Sequence, residues 1–459
     1  MLSKFLVFSV VSLYVASVTP SLAATDEQIN QRINYLQIQI NQLRAQKKQD
    51  QKRTVHTTRH YRGRTSPDGK CIYHASRLGI GPYANTQKAF GGSELVINIP
   101  TVREDTRILL RQYQLEQECR DLGIPTPPLP RVTLSGKLEG QITYGNTYPG
   151  SKDANVKFSG AELDTYIQGN SWISGYMALD HDPDRSLDGA YVFMNRAFIT
   201  IGNLSRFPFY SSIGQIYIPF GRYSSLMISP PVTLGLGRTR ACALSVGYQQ
   251  TGDNTLHAEV YDYKGLVNNL SRSDQKNQWG VDFGYAFNNF GRVNGEVGAS
   301  FISNLINSKM DEILHHTVQA VNFYGSLTID PVVFIAEYVG ALKSFDVTDV
   351  SFANQGARRP TAFHTEASYM FHTNSKPSSI GIGYGHTSQA LALSLPQDRY
   401  SIFYNVNIWM DTNFALEYRH DVNYSRNSIS TGIHLTPSGI ASDLGKSNNV
   451  VTAQFDLYF

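Results

Sequence analysis

The sequence lacks the long apolar runs that membrane-spanning helices need. Beyond residue 24 no stretch of its 459 residues approaches the about 20 consecutive apolar residues that such a helix requires. Charged residues are also scarce, at 17%, and the net charge of +3 gives no reason to expect a nucleic-acid partner. Aromatic and small residues are abundant instead, with 27 Tyr, 23 Phe and 37 Gly. This composition is typical of a β-barrel whose strands alternate between lipid and a wet interior.

The first 24 residues have the pattern of a secretory signal peptide. Lys4 gives a positive start, residues 5–18 are apolar, and Ser21-Leu22-Ala23 supplies the small residues that a signal peptidase reads. We therefore predict export and cleavage after Ala23 or Ala24. An uncleaved anchor helix is the alternative, although its apolar stretch would be short and is followed by Pro20.

Residues 25–50 carry a short heptad pattern. Ile29, Ile33, Leu36, Ile40 and Leu43 recur at spacings of four and three, which places them along one seam of a helix. Two to three heptads form a marginal coiled coil, so the seam predicts either a homotrimer supported by the barrel or a helix packed on the chain's own periplasmic segment.

Residues 51–130 are predicted to form a basic linker followed by a small periplasmic α/β segment. Lysines and arginines crowd the run 46–65, residues 94–99 resemble a strand, and 101–121 resemble a helix. Thr101 is its predicted N-cap, with Glu104 three residues on. Four prolines between 125 and 130 then stiffen the connection to the barrel.

Three cysteines occur in the chain. Cys71 and Cys119 lie in one segment before the barrel, and an oxidising periplasm would allow them to pair. We predict a Cys71–Cys119 disulfide and a free Cys242. Three unpaired thiols remain the alternative, because sequence spacing does not establish that the two Cα atoms are close enough.

From residue 131 to 459 the sequence alternates between apolar and polar residues. In the first such segment Leu134, Leu138 and Ile142 alternate with polar residues that include Thr133 and Ser135. Sixteen segments of this kind occur, joined alternately by tight turns and long connections, as in outer-membrane barrels. The predicted fold is an all-β transmembrane antiparallel barrel of about sixteen strands, with fourteen and eighteen as alternatives.

The last segment places Val451, Ala453, Phe455, Leu457 and Phe459 on one face and polar residues on the other. An apolar row that ends in an aromatic residue is the form in which barrel-assembly machinery recognises its clients. We predict that Phe455, Leu457 and Phe459 are this insertion signal, and that the barrel spans the outer membrane of a Gram-negative bacterium.

The connection Pro219–Arg240 is a candidate constriction. Sixteen strands enclose a lumen wide enough for solutes, and in sixteen-stranded porins the loop after the fifth strand commonly folds inward. Arg222, Arg238 and Arg240 would then favour anionic solutes that carry carboxylate or phosphate groups. The alternative is that these arginines lie in solvent or bind lipopolysaccharide phosphates.

Four basic residues on the predicted strands complete the candidate ligand-binding set, because they share a face with polar neighbours. They are Lys137, Arg196, Lys343 and Arg419. Glu139, Glu417 and Asp421 are expected on the same inward faces, and mutual neutralisation of charge is the alternative role for all of them.

An enzymatic function is not predicted. The histidines are scattered without metal-ligand spacing, no nucleophile elbow occurs, and no cofactor is expected. A lipid-facing Ser/His site, as in an outer-membrane phospholipase, is the remaining enzymatic alternative.

The order of segments, together with RVTLSGKLEGQITYG at 131–145 and QIYIPFGRYSSLMISPPVTLGLGRTR at 215–240, resembles the LbtU-like siderophore porins. The resemblance extends over the mature chain and implies uptake of a ferric siderophore without TonB coupling. Acidic residues of the family's loop are replaced here by Ser229 and by the stretch Leu236-Gly237-Arg238. The loop is therefore more basic than the family's pattern, which would suit an anionic, polycarboxylate siderophore.

The sequence therefore favours a channel for an anionic ferric siderophore. A general or anion-selective porin without a dedicated ligand is the first alternative. A surface adhesin or envelope tether, acting through the N-terminal helix and the connection 425–449, is the second.

Overall fold

The computed structural model of the protein describes residues 102–459 apart from several gaps. The gaps are 122, 124, 147, 149, 151, 182–190, 253, 266–276, 291–292, 306–316, 348–349, 353–357, 410–411, 429 and 431–442. The predicted signal peptide, heptad helix, basic linker and strand 94–99 lie outside the described residues, as does Thr101, so those predictions remain predictions.

The described helices are few and short. Helix α1 spans Glu104–Asp121, in agreement with the helix predicted for this segment, and α2 spans Val232–Gly237. A single 3₁₀ turn covers Leu391–Leu393. In the described part of the chain, no helix combines the length and apolar character needed to cross a membrane.

Sixteen antiparallel strands form a closed barrel, which confirms the predicted fold. Each strand pairs with its sequence neighbours, and β1 pairs with β16 to close the ring. The strands are β1 Arg131–Asn146, β2 Lys152–Gln168, β3 Ile173–His181, β4 Val192–Asn203, β5 Phe207–Tyr217, β6 Arg240–Gln249, β7 Asn254–Gly265, β8 Asn277–Phe290, β9 Val293–Ile302, β10 Ala320–Ile329, β11 Val332–Ala341, β12 Thr361–Thr373, β13 Lys376–Ser388, β14 Asp398–Trp409, β15 Thr412–Val422 and β16 Ser447–Tyr458.

The outer surface is apolar and the interior is polar, as the alternation predicted. On β1 the side chains of Leu134 and Ile142 are 51% and 58% exposed, whereas Thr133 and Ser135 are buried. A closed barrel leaves no strand of the sheet without a neighbour on either side, so the wall has no open sheet edge. A closed barrel with an apolar exterior is the architecture of outer-membrane proteins, and this chain is one of them.

The two rims of the barrel differ in their connections. The turns after β2, β4, β6, β8, β10, β12 and β14 are tight, and the connections after the odd-numbered strands from β3 onward are longer. Tight turns belong on the periplasmic rim and long loops on the outer rim. One sequence prediction is wrong here: β11 ends at Ala341, so Lys343 is an exposed loop residue rather than part of a strand.

The C-terminal residues close the barrel. The backbone N–H of Phe459 donates to the carbonyl of Gly136 at 3.1 Å, and the N–H of Gly136 donates to the carbonyl of Phe459 at 2.9 Å. Phe455, Leu457 and Phe459 all expose their side chains, while Gln454 and Asp456 are buried on the opposite face. The predicted apolar row therefore faces outward, and its recognition by assembly machinery stays a prediction.

Two of the three cysteines lie in the described part of the chain. Cys242 is a free thiol that is exposed on the outer face of β6. Cys119 is buried near the end of α1. Cys71 lies outside the described residues, so the Cys71–Cys119 disulfide remains a prediction.

Candidate functional site

Residues 218–239, which join β5 to β6, form an inward loop that folds into the barrel lumen. Glu337 on β11 accepts hydrogen bonds from the backbone N–H of Arg222 at 2.8 Å and of Tyr223 at 3.1 Å. It also accepts from the Thr233 hydroxyl at 2.8 Å and from the Asn322 amide at 3.0 Å. This one carboxylate therefore holds both arms of the loop against the wall opposite its origin.

Tyr223 has a left-handed backbone conformation at this contact. Its φ is 55°, and its N–H donates to both oxygens of Glu337, at 3.2 and 3.1 Å. Burial, together with the nearby carboxylate, raises the pKa of the Tyr223 hydroxyl well above its usual value. The side chain therefore stays neutral and packs within the apolar core of the loop.

Glu337 belongs to a row of four lumen-facing glutamates on separate strands. Glu296 on β9 binds the Arg222 guanidinium through bonds of 2.7 and 3.0 Å. Glu366 on β12 accepts the N–H of Leu226 at 2.8 Å, and Glu417 on β15 accepts the N–H of Ser229 at 2.8 Å. Successive residues of the loop bind successive glutamates of this row, so the loop follows the row from β9 to β15.

Apolar packing also holds the inward loop against the wall. The buried apolar side chains of the loop are Ile218, Phe220, Leu226, Met227, Ile228, Val232 and Leu236. On β13 a side chain at Gly383 would collide with Met227, and one at Gly385 would collide with Val232. The glycines thus provide the space that the loop's side chains occupy.

The tip of the loop lies between two arginines. Arg399 Nη1 on β14 donates to the carbonyl of Pro230 at 3.0 Å, and Arg419 Nη1 on β15 donates to the Ser229 hydroxyl at 2.8 Å. Both guanidinium groups also pair with Asp421, at 2.8 Å from Arg399 and 3.1 Å from Arg419. Two cations and one anion therefore meet at the tip.

Helix α1 occupies a second part of the lumen, and we call it the plug helix. Its N-terminal residues are buried against the wall: Arg103 donates to Gln249 at 3.0 Å and lies 3.6 Å from Glu259 and 3.7 Å from Asp282. Glu104 lies 2.9 Å from Arg196, which also binds Glu162.

The C-terminal half of the plug helix reaches the rim of tight turns. Leu109 packs against Leu204 and Tyr210, and Ser205 in the turn after β4 donates to Glu116. The helix therefore runs from inside the lumen to the periplasmic rim along β4–β8. The inward loop covers β9–β15, and the wall formed by β16, β1, β2 and β3 lies between the two.

The predicted ligand-binding residues do not form one cluster. Arg222 belongs to the inward loop and pairs with Glu296 of the wall, and Arg419 contacts the tip of the loop. Arg196 lies beneath the plug helix, and Lys137 pairs with Glu139 at 2.8 Å on β1. Mutual neutralisation, the alternative from the sequence, therefore describes Lys137 and Glu139.

Arg238 and Arg240 lie at the base of the loop. The guanidinium carbon of Arg238 is 4.5 Å from the centre of the Tyr217 ring. Arg240 is buried, and its guanidinium donates to Asn195 at 3.2 Å and lies over Phe193. Both side chains thus stabilise the point at which the loop leaves the wall.

Several functional residues were missed from the sequence. Arg399, Glu296, Glu337 and Glu366 each appear there as one more polar residue in an alternating strand, and nothing marks them as loop contacts. For metal binding, no group of three or more His, Cys, Asp or Glu side chains occurs among the described residues.

Comparison with known proteins places the chain among curated relatives. A UPF0422 protein of Coxiella burnetii is 65% identical over 445 residues, which cover 95% of this chain and 94% of the relative. A UPF0422 protein of Legionella pneumophila is 34% identical over 409 residues, 82% of this chain and 76% of the relative. The chain belongs to the UPF0422 family.

No family model matches this UPF0422 member. Solved structures similar to it include the outer-membrane channel DcaP of Acinetobacter baumannii, at 15% identity and a TM-score of 0.46 over 72% of this chain and 97% of that one. An anion-selective porin from Comamonas acidovorans has 11% identity and a TM-score of 0.46 over 72% and 99%. OprB of Pseudomonas putida has 11% identity and a TM-score of 0.47 over 75% and 96%.

Proposed function

We propose that the protein is an outer-membrane channel for uptake of an anionic ferric siderophore, without TonB coupling. The observation that carries the proposal is the tip of the inward loop, where Arg399 and Arg419 lie beside the narrowed lumen. A solute that crosses the barrel must pass this loop, because the loop extends over the wall from β9 to β15.

The charges at the tip are arranged so that a solute meets cations first. The side chains of Arg419 and Arg399 are 24% and 12% exposed, whereas that of Asp421 is 4% exposed and that of Glu417 is 1% exposed. Guanidinium groups bind carboxylates through paired, charge-assisted hydrogen bonds. The accessible surface therefore suits a ligand that carries several carboxylates.

The iron chelate as cargo is supported by the resemblance of 131–145 and 215–240 to the LbtU-like siderophore porins. Within the candidate set, Arg419 becomes the leading ligand contact, and Arg399 joins it, whereas Lys137 is already paired with Glu139. Arg222 has a structural role in the proposal, because both carboxylate oxygens of Glu296 bind one edge of its guanidinium.

The proposal is tested by growth of a Gram-negative host that lacks TonB and its own ferric-chelate receptors. Iron is supplied only as a ferric polycarboxylate chelate. We expect growth with the wild-type protein and strongly reduced growth with the Arg399→Gln, Arg419→Gln double variant at equal outer-membrane levels. Equal growth with and without the wild-type protein would overturn the proposal.

The same arginines also suit an anion-selective porin without a dedicated ligand. Single-channel recording separates the two functions. In a specific channel, micromolar ferric polycarboxylate should change the ion current, whereas a general anion porin should conduct chloride unaffected at that concentration.

The proposed partners follow from the same scheme. Barrel-assembly machinery would recognise the row that ends at Phe459, and lipopolysaccharide would surround the outer rim.

A homotrimer is proposed from the heptad pattern of 25–50. Chemical cross-linking in intact outer membranes tests it, because a monomeric band alone would contradict a trimer.

A further inference from the structure

We propose that Glu104 occupies a carboxylate-binding site at Arg196, so that the plug helix closes the channel until a polycarboxylate solute displaces it. The inference rests on the proposed function, because it assigns the anionic solute a role in opening its own path. It concerns the half of the lumen that the inward loop does not cover.

Arg196 is held between two carboxylates of different origin. Its side chain is fully buried, with Glu162 of the wall on one side and Glu104 of the plug helix at 2.9 Å on the other. The guanidinium has several N–H donors in a fixed plane, and each side of it matches one carboxylate. Glu162 is fixed in strand β2, so Glu104 is the exchangeable partner.

A second contact holds the same end of the helix. Arg103 lies within 3.6 Å of Glu259 and 3.7 Å of Asp282, and it has a φ of 57°. A non-glycine residue in the left-handed region persists only where its surroundings impose it. The wall carboxylates provide that constraint here, so release of the side chain would also relieve the backbone.

The construction of the helix permits its release. Its C-terminal end continues into the barrel through the prolines before β1, and the buried apolar residues of the described segment 102–121 are Val102, Ile108, Leu109 and Cys119. The ion pairs are buried while the helix is in place, and water of the lumen rehydrates the separated charges once the helix has left, which offsets part of the cost of breaking them.

A solute that opens the channel must compete for Arg196 with Glu104, which is tethered beside it. This competition determines which solutes open the channel. A tethered group acts at an effective concentration in the millimolar range or above, so a monocarboxylate at low millimolar concentration competes poorly. A polycarboxylate offers several carboxylates to Arg196, and it stabilises only the open state, because Glu104 fills the site in the closed one. A ligand shifts an equilibrium only by such a difference in affinity.

The test is ion current through purified full-length protein in planar bilayers, with citrate and acetate as probes. We expect citrate to raise the mean current of the wild type severalfold, and equimolar acetate to leave it unchanged. Glu104→Gln keeps the shape of the side chain but removes its charge. Its current without citrate should be roughly tenfold higher than that of the wild type, as expected for loss of a close charge pair.

Matched variants keep the test decisive. Glu116→Gln removes a charge from the same helix away from Arg196, and it should behave as wild type. The charge swap Glu104→Arg with Arg196→Glu should close the channel again and abolish the response to citrate. Heat-modifiable migration on gels verifies that each barrel is folded.

Two results overturn the inference: a wild-type current that ignores citrate, or a Glu104→Gln current equal to that of the wild type. Failure of the proposed function is distinguishable from either. A channel that citrate opens in bilayers, but that supports no growth on ferric polycarboxylate, would retain the plug and refute the iron cargo.

Discussion

Two segments fill the lumen, and they are held in different ways. The inward loop continues into β5 and β6 at its two ends, and wall carboxylates accept hydrogen bonds from its backbone at Arg222, Tyr223, Leu226 and Ser229. Seven of its apolar side chains are buried. Such contacts fix the path of the chain itself, so the loop is a permanent part of the wall.

The plug helix is held mainly by side chains. Its N-terminal contacts include ion pairs from Arg103 and Glu104, and its C-terminal end continues into β1. The partners of a separated ion pair can be rehydrated by water of the lumen, whereas separated apolar side chains gain nothing comparable from water. The comparison indicates that the loop acts as a filter and the helix as a gate.

The largest effect on stability is expected for Glu337→Ala, which removes the carboxylate that binds the inward loop to β11. The change leaves two backbone N–H groups, the Asn322 amide and the Thr233 hydroxyl without their acceptor. Unsatisfied buried donors cost about 1–3 kcal/mol each, partly offset by lumen water, so we expect a loss on the order of 3 kcal/mol. The measurement is the temperature at which the folded band disappears on gels.

Glu139→Ala is the matched control for Glu337→Ala. Glu139 is also a lumen glutamate, but its partner is Lys137 on the same strand, at 2.8 Å. Its loss should be well below that of Glu337→Ala. Equal losses of stability would show that the hydrogen bonds of Glu337 do not stabilise the loop more than an ordinary lumen ion pair does. The contrast between the inward loop and the plug helix would then weaken.

Arg103→Gly should have the opposite profile, with a large effect on current and a small one on stability. Glycine adopts the observed φ of 57° without strain, so the substitution removes only the contacts of the guanidinium. Loss of this coupling should raise the resting current by roughly fivefold or more. Bilayer recording measures the current, and thermal unfolding measures the stability.

The control is Arg120→Gly, because Arg120 is exposed at the end of the same helix. Its current should equal that of the wild type. If Arg103→Gly instead lowers stability as much as Glu337→Ala and leaves the current unchanged, the helix is fixed in the same way as the loop.

The barrel could be predicted from the sequence because lipid and water impose a strict alternation. Leu134 and Ile142 face outward and Thr133 and Ser135 face inward, as the period of two requires. The inward course of the long connection after β5 was also predicted, on the analogy with other sixteen-stranded barrels. Both features depend on patterns that extend over many residues.

The location of the plug helix could not be predicted. Its sequence EDTRILLRQYQLEQECRD has no broad apolar face, and the sequence left open whether residues 69–121 cap the pore or lie in the periplasm. A barrel lumen is polar as well, and the charges of Arg103 and Glu104 match partners on β4, β7 and β8. Pairings so distant in sequence leave no local signal, and the same holds for Glu337 and the loop.

A smaller effect is expected for Arg419→Gln at the tip of the loop. If the loop is the filter, removing this guanidinium should lower the preference for anions without opening the gate. A unit charge at about 4 Å through water is worth about 1 kcal/mol, which is a factor of roughly five in permeability ratio. The reversal potential in a potassium chloride gradient measures it.

Lys343→Gln is the control for Arg419→Gln, since Lys343 has the same charge but is exposed in the loop after β11. It should leave the reversal potential within experimental error of the wild type. A shift as large as that of Arg419→Gln would mean that selectivity arises at the outer rim rather than at the loop.

The smallest effect is expected for Ser205→Ala, at the rim end of the plug helix. Ser205 donates to Glu116 beside a cavity of about 250 Å³ that the helix and the neighbouring turn line together. Water can take over the hydrogen bond in a cavity of that size, so stability should change by less than about 0.5 kcal/mol and the current should not change.

Thr106→Val, in the buried half of the helix, removes the 2.6 Å hydrogen bond between the Thr106 and Tyr210 hydroxyls and should raise the current. Because the two substitutions each remove one hydroxyl from a contact of the same helix, a current that rises only for Thr106→Val would place the gate in the N-terminal half. A current that rises equally for both would mean that the whole helix is the gate, and Arg103 and Glu104 would lose their special place in it.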